Sequence, residues 1–103
     1  MNKSYLFRIS TPIGLTVRTT KDYWNFIEVK HPEIKGYLAL IKSTLKMPDI
    51  ISRSKADNEV LLFYKKINGY WICVVVKSRD IEGFIITAYI TDKIKEGVKI
   101  WPN

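Results

Sequence analysis

One histidine, one cysteine, six tyrosines and seventeen lysines and arginines set the chemistry open to this chain. A single His and a single Cys cannot make a Cys/His zinc site, which takes four ligands. The ten carboxylates fall on candidate helices or near element ends, and none lies inside the three long apolar segments. Clustered magnesium or two-metal chemistry is therefore not expected. No P-loop and no GxGxxG loop occurs, so nucleotide-driven chemistry is not expected either. That leaves metal-free and cofactor-free proton transfer by His31, lysines and hydroxyls. RNA cleavage suits such a set because the substrate brings its own nucleophile. A base takes the 2′-hydroxyl proton, cations hold the charge that develops on phosphate, and an acid protonates the leaving oxygen.

His31, in VKHPE, has the side chain best matched to proton transfer near neutral pH. With no second histidine, the other proton-transfer group would be Tyr64, Tyr89 or a lysine. The two tyrosines could equally stack a base or cover Cys73. Thr87 suits a strand through its β-branch alone, whereas Lys77 interrupts the apolar run WICVVVK. The catalytic candidates are thus His31, Tyr64, Lys77, Thr87 and Tyr89.

Two helices and a β-meander must position them. Thr19 or Thr20 caps a helix running to Lys30, with Tyr23, Trp24, Phe26 and Ile27 on one face. Pro32 breaks it and suits the first turn of a second helix carrying Ile34, Tyr37, Leu38, Ile41 and Leu45. Tyr5–Ile9 and Leu15–Val17 flank a Thr-Pro-Ile-Gly turn and read as a short N-terminal hairpin. From Asp49 the pattern alternates, giving strands near 50–55, 59–67, 70–78 and 84–91.

Asn68-Gly69 fits a two-residue hairpin turn and fixes a register. Phe63 then faces Val74 on one side, while Tyr64 meets Cys73 and Lys66 meets Trp71 on the other. A five-residue loop from Arg79 to Gly83 keeps apolar with apolar, pairing Val76 with Ile86, Val74 with Ala88 and Ile72 with Ile90. The other face then brings Val75 beside Thr87, Cys73 beside Tyr89 and Lys77 beside Ile85. It reads as an open aromatic, hydroxyl and basic groove, bordered by Lys66, Trp71 and Lys93. Arg53 joins it if Asp57-Asn58 is a two-residue turn and leaves it if the turn has three.

The segments DYWNFIEVKHPEIKGYLALIKSTLKMPDIISRSK, LLFYKK, ICVVVK and FIITAYITDKIKEG resemble the phage-associated branch of the barnase, EndoU, colicin and RelE-like (BECR-fold) ribonuclease superfamily. The match runs from about Arg18 to Trp101. It is most specific at Trp24 to Glu33 and at Thr87-Ala88-Tyr89. The resemblance implies an α+β fold, with two N-terminal helices packed on one face of a four-stranded antiparallel sheet. It implies a metal-independent endoribonuclease, with His31 in acid/base work, Arg53, Lys77 and Lys65 on phosphate, and Thr87 and Tyr89 completing the site. Small free-standing members of the superfamily look like toxins held by a cognate antitoxin.

Length and composition fit a single domain spanning residues 1–103, with 47% apolar and 26% charged residues. The net charge of +7 is spread along the chain and favours a polyanionic partner such as RNA. One cysteine allows no internal disulfide, and no apolar run has the length of a signal peptide or membrane span, so no membrane partner and a cytoplasmic home are the defaults. The chain shows no delivery or processing domain, which fits a free-standing toxin or a part of a larger phage protein. Two other readings use the same basic face: a non-catalytic RNA-binding module, and a phage-derived interaction domain for an acidic partner.

Overall fold

The computed structural model describes residues 5–103. The chain opens with a hairpin, β1 (Tyr5–Ser10) and β2 (Thr16–Thr20), paired antiparallel. Thr20 then caps α1 (Lys21–Lys30), its hydroxyl accepting from the Tyr23 amide at 3.2 Å. Trp24 and Ile27 bury their side chains beneath this helix, whereas Tyr23 and Phe26 stay exposed. The inward stripe is therefore narrower than the residue spacing implies. Pro32–Ile34 forms a single 3-10 turn and does not start the second helix. Gly36, at φ +82°, turns the backbone out of helical space, and α2 begins only at Leu38, ending at Lys46.

The expected four-stranded antiparallel sheet under two N-terminal helices is incorrect. Seven strands form one mixed sheet in the order β1-β2-β6-β5-β4-β3-β7. Its remaining strands are β3 (Ile50–Ser54), β4 (Val60–Ile67), β5 (Tyr70–Arg79), β6 (Glu82–Thr91) and β7 (Gly97–Trp101). The N-terminal hairpin extends the sheet because Thr16–Arg18 of β2 pair in parallel with Glu82–Phe84 of β6. At the other edge, β7 adds antiparallel to β3. Both additions involve only a few residues, too short to show a clear two-residue period.

The Asn68-Gly69 turn has positive φ at both positions, and β4 and β5 pair Phe63 with Val74 and Tyr64 with Cys73 as the turn requires. Between β5 and β6 the pairings from Trp71↔Thr91 to Val75↔Thr87 follow the sequence-based register. The five-residue loop is replaced by a two-residue Asp80-Ile81 turn, with Asp80 at φ +57°. Val76 consequently faces Ile85 and Lys77 faces Phe84, leaving Ile86 as the extra residue of a β-bulge. The bulge absorbs the face conflict that a longer loop was invoked to solve.

Trp24, Ile27, Ile34, Ile41 and Leu45 pack with Phe63, Ile72, Val74, Val76, Ile85 and Ala88 to form the main core. The opposite face builds a second, smaller core from Leu62, Tyr64 and Cys73, against which Ile50, Val60, Trp71, Val75 and Tyr89 pack. Both faces of the central strands are thus partly dry.

Candidate functional site

The second core results from the way the chain reaches β7. In the sheet, β6 and β7 are separated by β5, β4 and β3, so the connection must cross those strands. Four strand spacings amount to about 19 Å. The six Cα steps from Thr91 to Gly97 span at most about 21 Å. Asp92–Glu96 is therefore a short strap over the face expected to be an open groove. Toward its β7 end, the Lys95 amide donates to the Tyr64 hydroxyl at 3.1 Å. Tyr64 and Cys73 are fully buried beneath, which corrects the expectation of an uncovered aromatic trough.

Burial dominates the protonation of this row. It pushes the Tyr64 phenol up to about 12, with the Cys73 thiol adding to the effect, and pushes Cys73 itself up to about 11. Tyr89 is raised for the same reasons. Its hydroxyl is buried beside the Cys73 thiol, with no hydrogen-bond partner of ordinary geometry among the described residues.

His31 reaches this row from the helix layer. Since β2 pairs with only the first part of β6, α1 runs beside the remainder, and the Tyr23 hydroxyl donates to the bulge carbonyl of Ile86 at 2.8 Å. At the far end of α1, the His31 ring lies 5.9 Å from the Tyr89 ring, centroid to centroid. Its Nδ1 is 3.4 Å from a Glu33 carboxylate oxygen, leaving Nε2 as the nitrogen available to a substrate. About a third of the His31 side chain is exposed. Lys95 Nζ stands 5.7 Å from the Tyr89 ring centre.

Other expected members gather nearby. Trp71 packs edge-on against Tyr64, Lys66 lies over the Trp71 ring at 5.4 Å, and Thr87 sits half-buried two positions before Tyr89. Lys93 is exposed on the strap, its amide donating to the Thr91 hydroxyl.

Three expected phosphate ligands are engaged elsewhere. Lys77 lies 2.8 Å from Asp57 and 3.3 Å from Glu59, and hydrogen bonds to those carboxylates hold its ammonium above the ordinary range. Lys65 pairs with Ile72 on the helix side and donates to the Met47 carbonyl at the end of α2. Arg53 pairs with Leu61, the register of the three-residue alternative, and donates to the Asn58 carbonyl. Neither Lys65 nor Arg53 borders the Tyr64–Tyr89 row.

The expected site residues include neither Lys95 nor Glu33. Glu33 adjoins His31 across Pro32, a visible signal. Lys95 is visible as a basic residue after the last long strand, but its place above Tyr64 depends on the route of the strap.

Comparison of the chain with protein-family models, curated proteins and solved structures finds no match in any of the three. Among the described residues no helix is long and apolar enough to cross a membrane, and no three His, Cys, Asp or Glu side chains converge as a metal site would require.

Proposed function

We propose that this chain is a metal-independent ribonuclease in which His31 performs proton transfer on RNA lying along the His31–Tyr89–Lys95 surface. The observation that carries this reading is the approach of His31 to Tyr89, which sets an imidazole, about a third exposed, beside the Glu33 carboxylate and against a ring that Lys95 also approaches. In this mechanism His31 Nε2 accepts the 2′-hydroxyl proton, the 2′-oxygen bonds to phosphorus, and the bond to the 5′-oxygen breaks. Lys95 and Lys93 stabilise the phosphorane charge, and a strap lysine returns a proton to the leaving oxygen. The products are a 2′,3′-cyclic phosphate and a 5′-hydroxyl.

Tyr64 takes no direct part, because it is buried and its hydroxyl engages Lys95. Lys77, neutralised by two carboxylates, serves structure in this scheme. The cellular role consistent with the activity and the +7 charge is a cytoplasmic toxin restrained by an acidic antitoxin. Those same buried and paired groups favour a second reading, RNA binding without cleavage, since they remove two members of the sequence-based catalytic set.

Incubating the purified protein with single-stranded RNA in chelator, then identifying the product ends, tests the choice. Cyclic phosphate ends that vanish in His31→Ala support cleavage. RNA bound but left intact supports the second reading.

A further inference from the structure

We infer that a cleft between β1, α1 and β6 is a nucleobase-binding subsite for single-stranded RNA, separate from the His31 region. This rests on the RNA reading above and names where a flanking base is held. The cleft has a volume of about 360 Å³ and is lined by Tyr5, Arg18, Thr19, Thr20, Tyr23, Phe84 and Ile85. Ligand pockets run from about 300 to 1,000 Å³, so this one takes a single ring system.

Its chemistry matches a base followed by a phosphate. Tyr5, Tyr23 and Phe84 come from three different elements, and each remains about 40% exposed. Three aromatics left open in one cleft call for an occupant more than scattered surface apolars do. Arg18 and Arg8 stand 5.5 and 5.9 Å from the Tyr5 ring centre. Both contact the Glu82 carboxylate, which fixes the guanidinium groups at the rim. Two arginines against one glutamate leave a positive excess for a phosphate. The hydrogen bond from Tyr23 to Ile86 holds the remaining wall in place before any ligand arrives.

The cleft also lies in register with His31. Phe84 and Tyr89 project from the same face of β6, opposite Lys77 and Cys73 respectively. Tyr23 lies in the first turn of α1, and His31 follows its last residue, a separation of roughly 12 Å along the axis. A short oligonucleotide can occupy both places. Stacking on aromatic side chains accepts every base, because each has a π-face.

The test measures binding of a 2′-O-methyl RNA octamer, which lacks the nucleophile, by wild type, Phe84→Ala and Phe84→Trp, with circular dichroism to verify folding. Loss of one stacked base corresponds to roughly 5- to 150-fold weaker binding. Phe84→Ala is expected to fall in that range and Phe84→Trp to retain affinity. Wild-type binding with an unaffected Phe84→Ala overturns the subsite and leaves the RNA reading standing. A wild type that neither binds the octamer nor cleaves RNA overturns both. Adenosine monophosphate binding as tightly as the octamer, and depending equally on Phe84, identifies a free-nucleotide pocket and overturns the RNA subsite.

Discussion

The Lys95 amide donates to the Tyr64 hydroxyl at 3.1 Å, tying the strap to the centre of the sheet it crosses. Tyr64→Phe keeps the ring and removes the acceptor. A net hydrogen bond of this kind contributes about 1 kcal/mol. Denaturant unfolding should show a loss of that size, and the Lys95 amide should exchange faster with solvent. Unchanged exchange at Lys95 would show that this hydrogen bond does not hold the strap.

Where the strap lands, Gly97 leaves no space for a side chain. A Cβ built there would sit 2.7 Å from the Arg53 carbonyl oxygen, part of a backbone that cannot rotate away. Gly97→Ala should therefore separate β7 from β3 and cost about 1–3 kcal/mol. Chemical denaturation and the amide exchange of Val98 to Trp101 provide the measurement. An alanine tolerated without loss would contradict the close β3–β7 contact.

These two positions show where sequence reading succeeds and where it stops. The Asn68-Gly69 turn carries its own geometry, so the Tyr64–Cys73–Tyr89 row was legible from local chemistry and alternation. The parallel contact of β2 with β6 and the addition of β7 to β3 depend on strand order, which no local pattern encodes. The burial of Tyr64 follows from the second of these, because a strand placed beyond β3 obliges Asp92–Glu96 to cross the face. Asp80-Ile81 lacks glycine, so its tight turn gave little signal, and the bulge at Ile86 escaped with it.

The Lys77–Asp57 pair gives stability a defined pH window. Hydrogen bonding to Lys77 holds the Asp57 carboxyl below its ordinary 3.8, and that contribution, present above 3.8, disappears as pH falls through the lowered value. Lys77 is raised from 10.5, so its contribution is complete below 10.5 and disappears as pH rises through the raised value. Asp57→Asn should flatten the acid limb of a stability-against-pH curve. An acid limb identical to wild type would mean that other carboxylates govern it.

Cys73 lies fully buried, and burial pushes its thiol up to about 11. The native protein should resist a thiol-specific reagent at pH 8 and react promptly in denaturant. Alkali should act on the neighbouring phenol as well. The neutral Tyr64 stabilises the fold fully below pH 10, and this is lost as pH rises through about 12. Phenolate absorbance should consequently show late titration that coincides with unfolding. Rapid thiol labelling of folded protein would place Cys73 at the surface.

His31 and Tyr89 adjoin one another but should respond differently to substitution. Removing a general acid/base group commonly costs about 10²- to 10⁴-fold in rate, and His31→Ala should fall in that range in the cleavage assay. The Tyr89 hydroxyl is buried without a partner, so it cannot reach the phosphate, and Tyr89→Phe should leave kcat unchanged. Deleting an unsatisfied buried hydroxyl should also raise stability slightly, by up to about 1 kcal/mol. Tyr89→Ala instead removes the ring against which His31 rests, and kcat should fall while RNA binding persists. If Tyr89→Phe reduces the rate as deeply as His31→Ala, the phenol is the proton carrier. The buried hydroxyl would then have to become exposed during turnover.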